Sequence, residues 1–150
     1  MKNLEITNRK AAHLYHLHQS FEAGIELTGS EVKSVKEGNA NLSDAYCVVE
    51  GREVWLRNMR ISEYKQSQDR EFDPKRPRRL LLNRQEIRKI ARKIAEKGSA
   101  LIPYRIYQSD RGFIKLEVYV ASGKKAFDKR ETLREKDEKR DLERDFKHRI

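Results

Sequence analysis

A single cysteine, Cys47, stands in 150 residues, which excludes an internal disulfide and any zinc site built from several thiolates. Glycine occurs only seven times, and no phosphate-binding loop or dinucleotide fingerprint is among those positions. Apolar residues are 37% of the chain, against roughly 45–50% in an average domain, so the core must be modest. No run approaches the ~18–20 apolar residues a membrane helix needs. The opening Met1-Lys2-Asn3-Leu4-Glu5-Ile6 lacks the apolar stretch of a secretory signal. These absences set the expectation of a reduced, soluble, cytoplasmic protein. Catalytic groups are sparse too. His13, His16 and His18 form the one local constellation, and no cysteine or evident carboxylate completes it as a metal or nucleophile site. In an extended chain His16 and His18 share a face and His13 points away. Cys47, between Tyr46 and Val48, reads as a buried, inert thiol. The expectation is a protein that is not an enzyme and holds no cofactor or metal.

Charge is what the chain has in excess. Charged residues make up 39%, the net charge is +10 and the isoelectric point is about 9.8. Such a balance points to a polyanionic partner, most often nucleic acid. The excess is unevenly spread. Residues 128–150 carry nine cations and eight anions, so nearly all of the net charge lies in residues 1–127. The expected organisation is therefore a body over 1–127 and a polyampholyte tail over 128–150. Only Leu133, Leu142, Phe146 and Ile150 are large and apolar in the tail, too few to offset the entropy of ordering it alone. Pairs at i, i+4, such as Glu135 with Lys139 and Glu143 with Lys147, would support a helix once docked.

The body reads as short strands around two helices. Ala23, Ile25 and Leu27 alternate at period two, giving a strand over Glu22–Leu27. Tyr46–Val49 and Val54–Leu56 flank a turn at Glu50-Gly51-Arg52-Glu53; Ala100–Tyr107 and Phe113–Val120 make a second hairpin. A helix is expected over Arg84–Lys97. Its stripe is Ile87, Ile90, Ala91, Ile94 and Ala95, Asn83 can cap it, Glu86 completes the cap, Gly98 ends it, and its other face is basic. A shorter helix is expected over Ser30–Glu37. Arg57–Tyr64 is ambiguous, and Lys65–Asp73 reads as loop. Pro74-Lys75-Arg76-Pro77-Arg78-Arg79 then sets four cations in six residues, a phosphate-binding candidate. Such strand spacing suggests a small barrel or sandwich. Further basic clusters lie at Asn8-Arg9-Lys10, on the long helix and at Lys124-Lys125, with Tyr64, Tyr104, Tyr107 and Phe127 nearby. Basic grooves with aromatic platforms suit folded or single-stranded RNA.

Seven stretches occur in a telling order: Asn8-Arg9-Lys10-Ala11, Phe21-Glu22-Ala23-Gly24-Ile25, Glu31-Val32-Lys33-Ser34, Asn41-Leu42-Ser43-Asp44, Arg76-Pro77-Arg78-Arg79-Leu80-Leu81-Leu82, Gly123-Lys124-Lys125 and Asp128-Lys129-Arg130. Together they resemble the bacterial SsrA-binding protein family, small protein B. The resemblance implies a mainly β fold with α, a small barrel of the oligonucleotide-binding (OB) type with two to three flanking helices. It implies binding to the tRNA-like domain of transfer-messenger RNA and delivery of that RNA to stalled ribosomes, as a monomer in free solution. It places Asn8, Glu22, Leu81 and Lys115 at RNA-face positions, and Arg9, Lys10, Lys33, Arg76, Arg78, Arg79, Lys124 and Lys125 within the RNA-binding motifs. Phe127, Asp128, Lys129 and Arg130 fall on the motif that acts at the decoding centre, with the tail beyond them in the mRNA path beside 16S rRNA. Ser122, Glu63 and Asn83 depart from the Lys or Arg, Pro and His common in the family. The competing readings are a structural ribosomal protein, another basic OB-type translation factor, and an RNA-processing enzyme.

Overall fold

The computed structural model describes residues 4–64 and 72–124. These form, in order, β1 (Glu5–Thr7), α1 (Arg9–Leu14), β2 (Tyr15–Ile25), α2 (Gly29–Lys36), β3 (Ala40–Asn41), β4 (Tyr46–Glu50), β5 (Glu53–Arg57), β6 (Arg60–Ile61), β7 (Arg78–Leu81), α3 (Arg84–Ile94), β8 (Ser99–Gln108) and β9 (Ile114–Gly123). The protein is mainly β with a few helices. The expected tail, including Lys125, Phe127, Asp128, Lys129 and Arg130, and most of the expected 65–73 loop lie outside the described residues.

Seven strands form one antiparallel sheet in the order β1-β8-β4-β5-β7-β2-β9, and β8 also pairs with β9. The β8–β9 hairpin runs from Ser99↔Ser122 to Gln108↔Ile114, and β2 pairs along β9 from Tyr15↔Gly123 to Gly24↔Lys115. β7 sits between β2 and β5, and Cys47↔Leu101 joins β4 to β8. β3 and β6 make a separate two-stranded pair.

Period-two alternation decides what faces the core. Phe21, Ala23 and Ile25 point inward from β2, as do Leu116, Val118 and Val120 from β9 and Val54 and Leu56 from β5. Val35, Met59, Ile61 and Ile90 close over them. Burying each large aliphatic side chain contributes about 1.5–3 kcal/mol. A chain with little apolar residue holds together by turning alternate apolar residues of its strands into this core, while a second, smaller cluster of Ala11, Ile102 and Ala121 packs apart from it.

Both expected hairpins form. The first turns at Gly51, whose φ of +62° favours glycine. α3 begins as expected. The Asn83 side chain accepts from the Glu86 amide at 2.8 Å, Glu86 reaches back to the Asn83 amide, and Ile90 is fully buried. It ends at Ile94 rather than Lys97, because the last turn unwinds before Gly98 takes a φ of +83°. α2 spans one residue earlier than expected at each end, fixed by a Thr28–Glu31 capping box. β2 begins at Tyr15 rather than Glu22 and stops at Ile25. The ambiguous stretch breaks at Asn58, which has a φ of +64° and separates β5 from β6.

Candidate nucleic-acid interface

The residues of β2 that do not face the core face outward with their neighbours on β7, β9 and β8. The pairing fixes who meets whom. Leu81 lies opposite Gly24, Gly24 opposite Lys115, and Lys115 opposite Tyr107; one step along, Glu22 lies opposite Glu117 and Glu117 opposite Arg105. Three residues that the family resemblance assigns to RNA, Glu22, Leu81 and Lys115, thus share one patch although 93 residues of sequence separate the first and last. Gly24 makes the packing possible: a Cβ there would lie 3.2 Å from the Leu81 Cβ, so Leu81 rests against bare backbone. Leu81 is 50% exposed and Phe113, at the β8–β9 turn, 63%. With Val32 and Lys115 they border a recess of about 260 Å³.

Two carboxylates face each other across this patch, Glu22 and Glu117, a pairing that costs stability unless it is compensated. Compensation comes from β8 and β9. Arg105 donates to Glu117 at 2.9 Å and lies 3.6 Å from Glu5, and these acids raise its pKa. The Tyr107 hydroxyl bonds Glu22, and partial burial together with that carboxylate pushes its pKa up to about 12. Partial burial and Glu117 raise that of Tyr119 as well. Like any phenol at neutral pH, both are protonated and can donate to these carboxylates. The Arg105 guanidinium stacks 4.5 Å from the Tyr107 ring centre, and Tyr104 meets Tyr119 edge to face. The result is a braced platform with aromatic and apolar surface, one lysine, and carboxylate oxygens with spare acceptor capacity. Such a surface can stack unpaired bases, meet a phosphate and accept from base amino groups. Arg105, Glu117 and Tyr119 escaped the sequence reading; the signal was their alternation with Ile106, Leu116 and Val118, which places them on the face opposite the core.

The remaining expected residues divide. Arg9 and Lys10 are exposed on α1, and Lys10 pairs with Asp44 at 3.3 Å. Lys124 donates through its amide to the Leu14 carbonyl and through Nζ to the Ala12 carbonyl, which ties the end of β9 to the stretch that follows the first motif. Lys33 is exposed, with its ammonium 5.3 Å from the Tyr64 ring centre.

Two expectations need correction. Asn8 is buried: its side chain caps α1 at the Ala11 amide and donates to the carbonyls of Leu42 and Pro103 at 3.1 and 3.0 Å, so it braces the fold beneath the surface. Arg78 is fully buried as well, because it shares the inward side of β7 with Leu80. It donates to Glu31 through Nε at 2.8 Å and to the carbonyls of Met59 and Pro74. Arg76 binds the other Glu31 oxygen at 2.5 Å, and Arg79 pairs with Glu26 and Glu53. The densest cationic run in the sequence is thereby spent largely on internal pairs. Burial alone would raise the Glu31 pKa, but the hydrogen bonds from Arg76, the Thr28 amide and Arg78 hold it below the usual value.

His16 and His18 lie exposed on β2 with ring centres 6.5 Å apart, His18 bonds Ser122 at 2.8 Å, and His13 sits on α1. Among the described residues no cluster of histidine, cysteine or acid is arranged to hold a metal. Cys47 is buried, and burial pushes its thiol far above the ordinary range. No described helix is long and apolar enough to cross a membrane.

Comparison with known proteins places this geometry. The model of the SmpB protein family matches residues 5–148. The SsrA-binding protein of Caldanaerobacter subterraneus subsp. tengcongensis is 51% identical over 93% of this chain and 88% of its own. That of Chlorobaculum tepidum is 49% identical over 92% and 88%, and that of Desulforamulus reducens 46% identical over 95% and 88%. A solved chain from "tmRNA-SmpB: a journey to the center of the bacterial ribosome" superposes with a TM-score of 0.71 at 37% identity, over 87% of this chain and 95% of that one. With a family model spanning nearly the whole chain and relatives at about half identity, this chain belongs to the SmpB family.

Proposed function

We propose that this protein binds the tRNA-like domain of transfer-messenger RNA and delivers it to stalled ribosomes in trans-translation. The observation that carries the reading is the outer sheet patch, where Glu22, Leu81 and Lys115 lie together beside the Tyr107 platform. Kinship with proteins named for SsrA binding, and with a chain described with tmRNA at the bacterial ribosome, supports the same reading. Within it, the sheet is a small barrel of the OB type: β8 pairs on one side with β4 and on the other with β9, which favours closure. The protein acts by binding, without catalysis or cofactor, in the cytoplasm and as a monomer until it docks. Residues 1–127 are the RNA-binding body. The tail acts at the decoding centre through Phe127, Asp128, Lys129 and Arg130, and beyond them in the mRNA path as a helix formed on docking.

The test is binding of a tRNA-like RNA fragment against a tRNA competitor, over a range of salt, with Leu81→Ala and Lys115→Ala variants. Each variant should weaken binding, and losing one phosphate contact with Lys115 should flatten the log–log salt slope by about 0.7–0.9. Equal preference for tRNA and the fragment would overturn the reading and favour a general structural ribosomal protein. For the tail, the combined variant Asp128→Ala, Lys129→Ala, Arg130→Ala should bind the RNA fragment as the parent does, yet fail to support tagging of the stalled peptide. Normal tagging would remove the tail from the mechanism.

A further inference from the structure

The outward side of α3 is built unlike a merely solvated helix. Arg84, Arg88 and Arg92 stand at i, i+4 and i+8, all exposed, and Lys89 is exposed beside them. At 1.5 Å rise per residue the three arginines step along the axis by about 6 Å. That matches the separation of successive phosphates along an RNA strand. None of the four cations has an ion-pair partner among the described residues, whereas Arg76, Arg78 and Arg79 all do. The one acid in the helix, Glu86, is committed to the capping box.

The arrangement runs against local helix physics. Arg84 is at the first helical position, where the helix dipole disfavours a cation. Arg84 with Arg88, Arg88 with Arg92, and Lys89 with Lys93 are like-charge i, i+4 pairs, which destabilise a helix. A helix selected only to cover the core would intersperse acids; breaking that rule without internal compensation marks a surface shaped for a ligand. Beside it, the β4–β5 turn brings Gly51 and Arg52 to a groove of about 370 Å³ whose other lining residues are Arg84, Ile87, Arg88 and Ala91. Guanidinium groups thus come to the groove from two elements.

This surface is separate from the sheet patch. Lys93 of α3 donates to the Gln19 side chain on β2. Gln19 alternates in step with Phe21 and Ala23, which face the core, whereas Glu22 faces outward. α3 therefore lies on the other side of β2 from Glu22, Leu81 and Lys115.

We propose that the α3 arginine stripe, together with Arg52, is a second RNA surface that grips the phosphate backbone of ribosomal RNA. The choice of ribosomal RNA over the RNA on the sheet patch rests on the delivery function proposed above and on the separation of the two surfaces. The test uses the full chain with Arg84→Glu, Arg88→Glu and Arg92→Glu combined, and Arg84→Gln, Arg88→Gln and Arg92→Gln as a milder companion, each first checked for a melting transition no lower than the parent's. Affinity for isolated small ribosomal subunits and for the tRNA-like RNA fragment is measured separately across salt. The inference expects subunit affinity to fall about tenfold or more, and the log–log salt slope of the Gln variant to shrink by about 2, while affinity for the fragment stays at the parent's value. Unchanged subunit affinity in the Glu variant overturns it, as does a fall in fragment affinity that equals the fall for subunits. Failure of the parent to prefer the fragment over tRNA would instead strike the functional reading, and the subunit arm would still decide this one.

Discussion

Two stretches of this chain are rich in cations and are used in opposite ways. Pro74–Arg79 carries four cations in six residues, and three of them are tied to acids: Arg76 and Arg78 to Glu31, Arg79 to Glu26 and Glu53. α3 carries its arginines in a single stripe with no ion-pair partner among the described residues. The denser run is mostly scaffold, and the sparser one is open surface. Local charge density therefore misleads unless each cation is first placed inside or outside the fold. In β7 the deciding fact is alternation: Arg78 follows Leu80 inward, and Arg79 does not.

The largest effect that would break this comparison is expected at the buried pair. Arg78→Ala leaves the Glu31 carboxylate buried with only part of its compensation, and should cost about 3–5 kcal/mol in urea denaturation. A loss no greater than that of a surface arginine would return Arg78 to the list of candidate RNA contacts. The same pair predicts acid sensitivity. The folded-state pKa of Glu31 is lowered from 4.5, so its contribution is complete above that value and is lost as pH falls through the lowered one. Unfolding free energy should decline below about pH 4.5, and Glu31→Gln, less stable at neutral pH, should show a flatter decline. Parallel pH profiles would show that Glu31 is not the titrating group.

Smaller effects sharpen the contrast between scaffold and surface. Gly24→Ala puts a methyl 3.2 Å from the Leu81 Cβ, which must shift; overpacking of this kind costs about 1–3 kcal/mol, with the low end expected at a half-exposed site. Fragment affinity should fall more than thermal stability does, because the displaced group is the one offered to RNA. Tyr107→Phe removes the donor to Glu22 and should cost about 0.5–1.5 kcal/mol of stability, read by calorimetry. Arg92→Ala marks the floor, within about 0.5 kcal/mol of the parent.

Much of the scaffold was legible locally. Asn83 and Glu86 announce the start of α3, its isoleucines announce the buried stripe, and glycine at the turns announces the hairpins, because each signal acts within a few residues. α1 went unread. It is six residues long, too short for a periodic pattern, and its cap Asn8 is also held by the distant carbonyls of Leu42 and Pro103. The early part of β2 was missed because its outward His16, His18 and Ser20 dilute the apolar signal, and the register shifts between Leu17 and Gln19. At the site, the family motifs supplied Glu22, Leu81 and Lys115, but no spacing along the chain reveals that Gly24 sits between the latter two, or that Tyr107 and Arg105 brace the two glutamates.

The sequence by itself determined the net charge and its concentration before residue 128, the absence of a disulfide, the capped helices and the hairpins, since composition and short-range hydrogen bonding need no partner from elsewhere in the chain. Only the tertiary structure decided which charges remain available. The cost of burying an ion depends on whether a counter-ion arrives from a distant segment. Glu31 arrives for Arg78 across 47 residues, while none of the described acids reaches the arginines of α3.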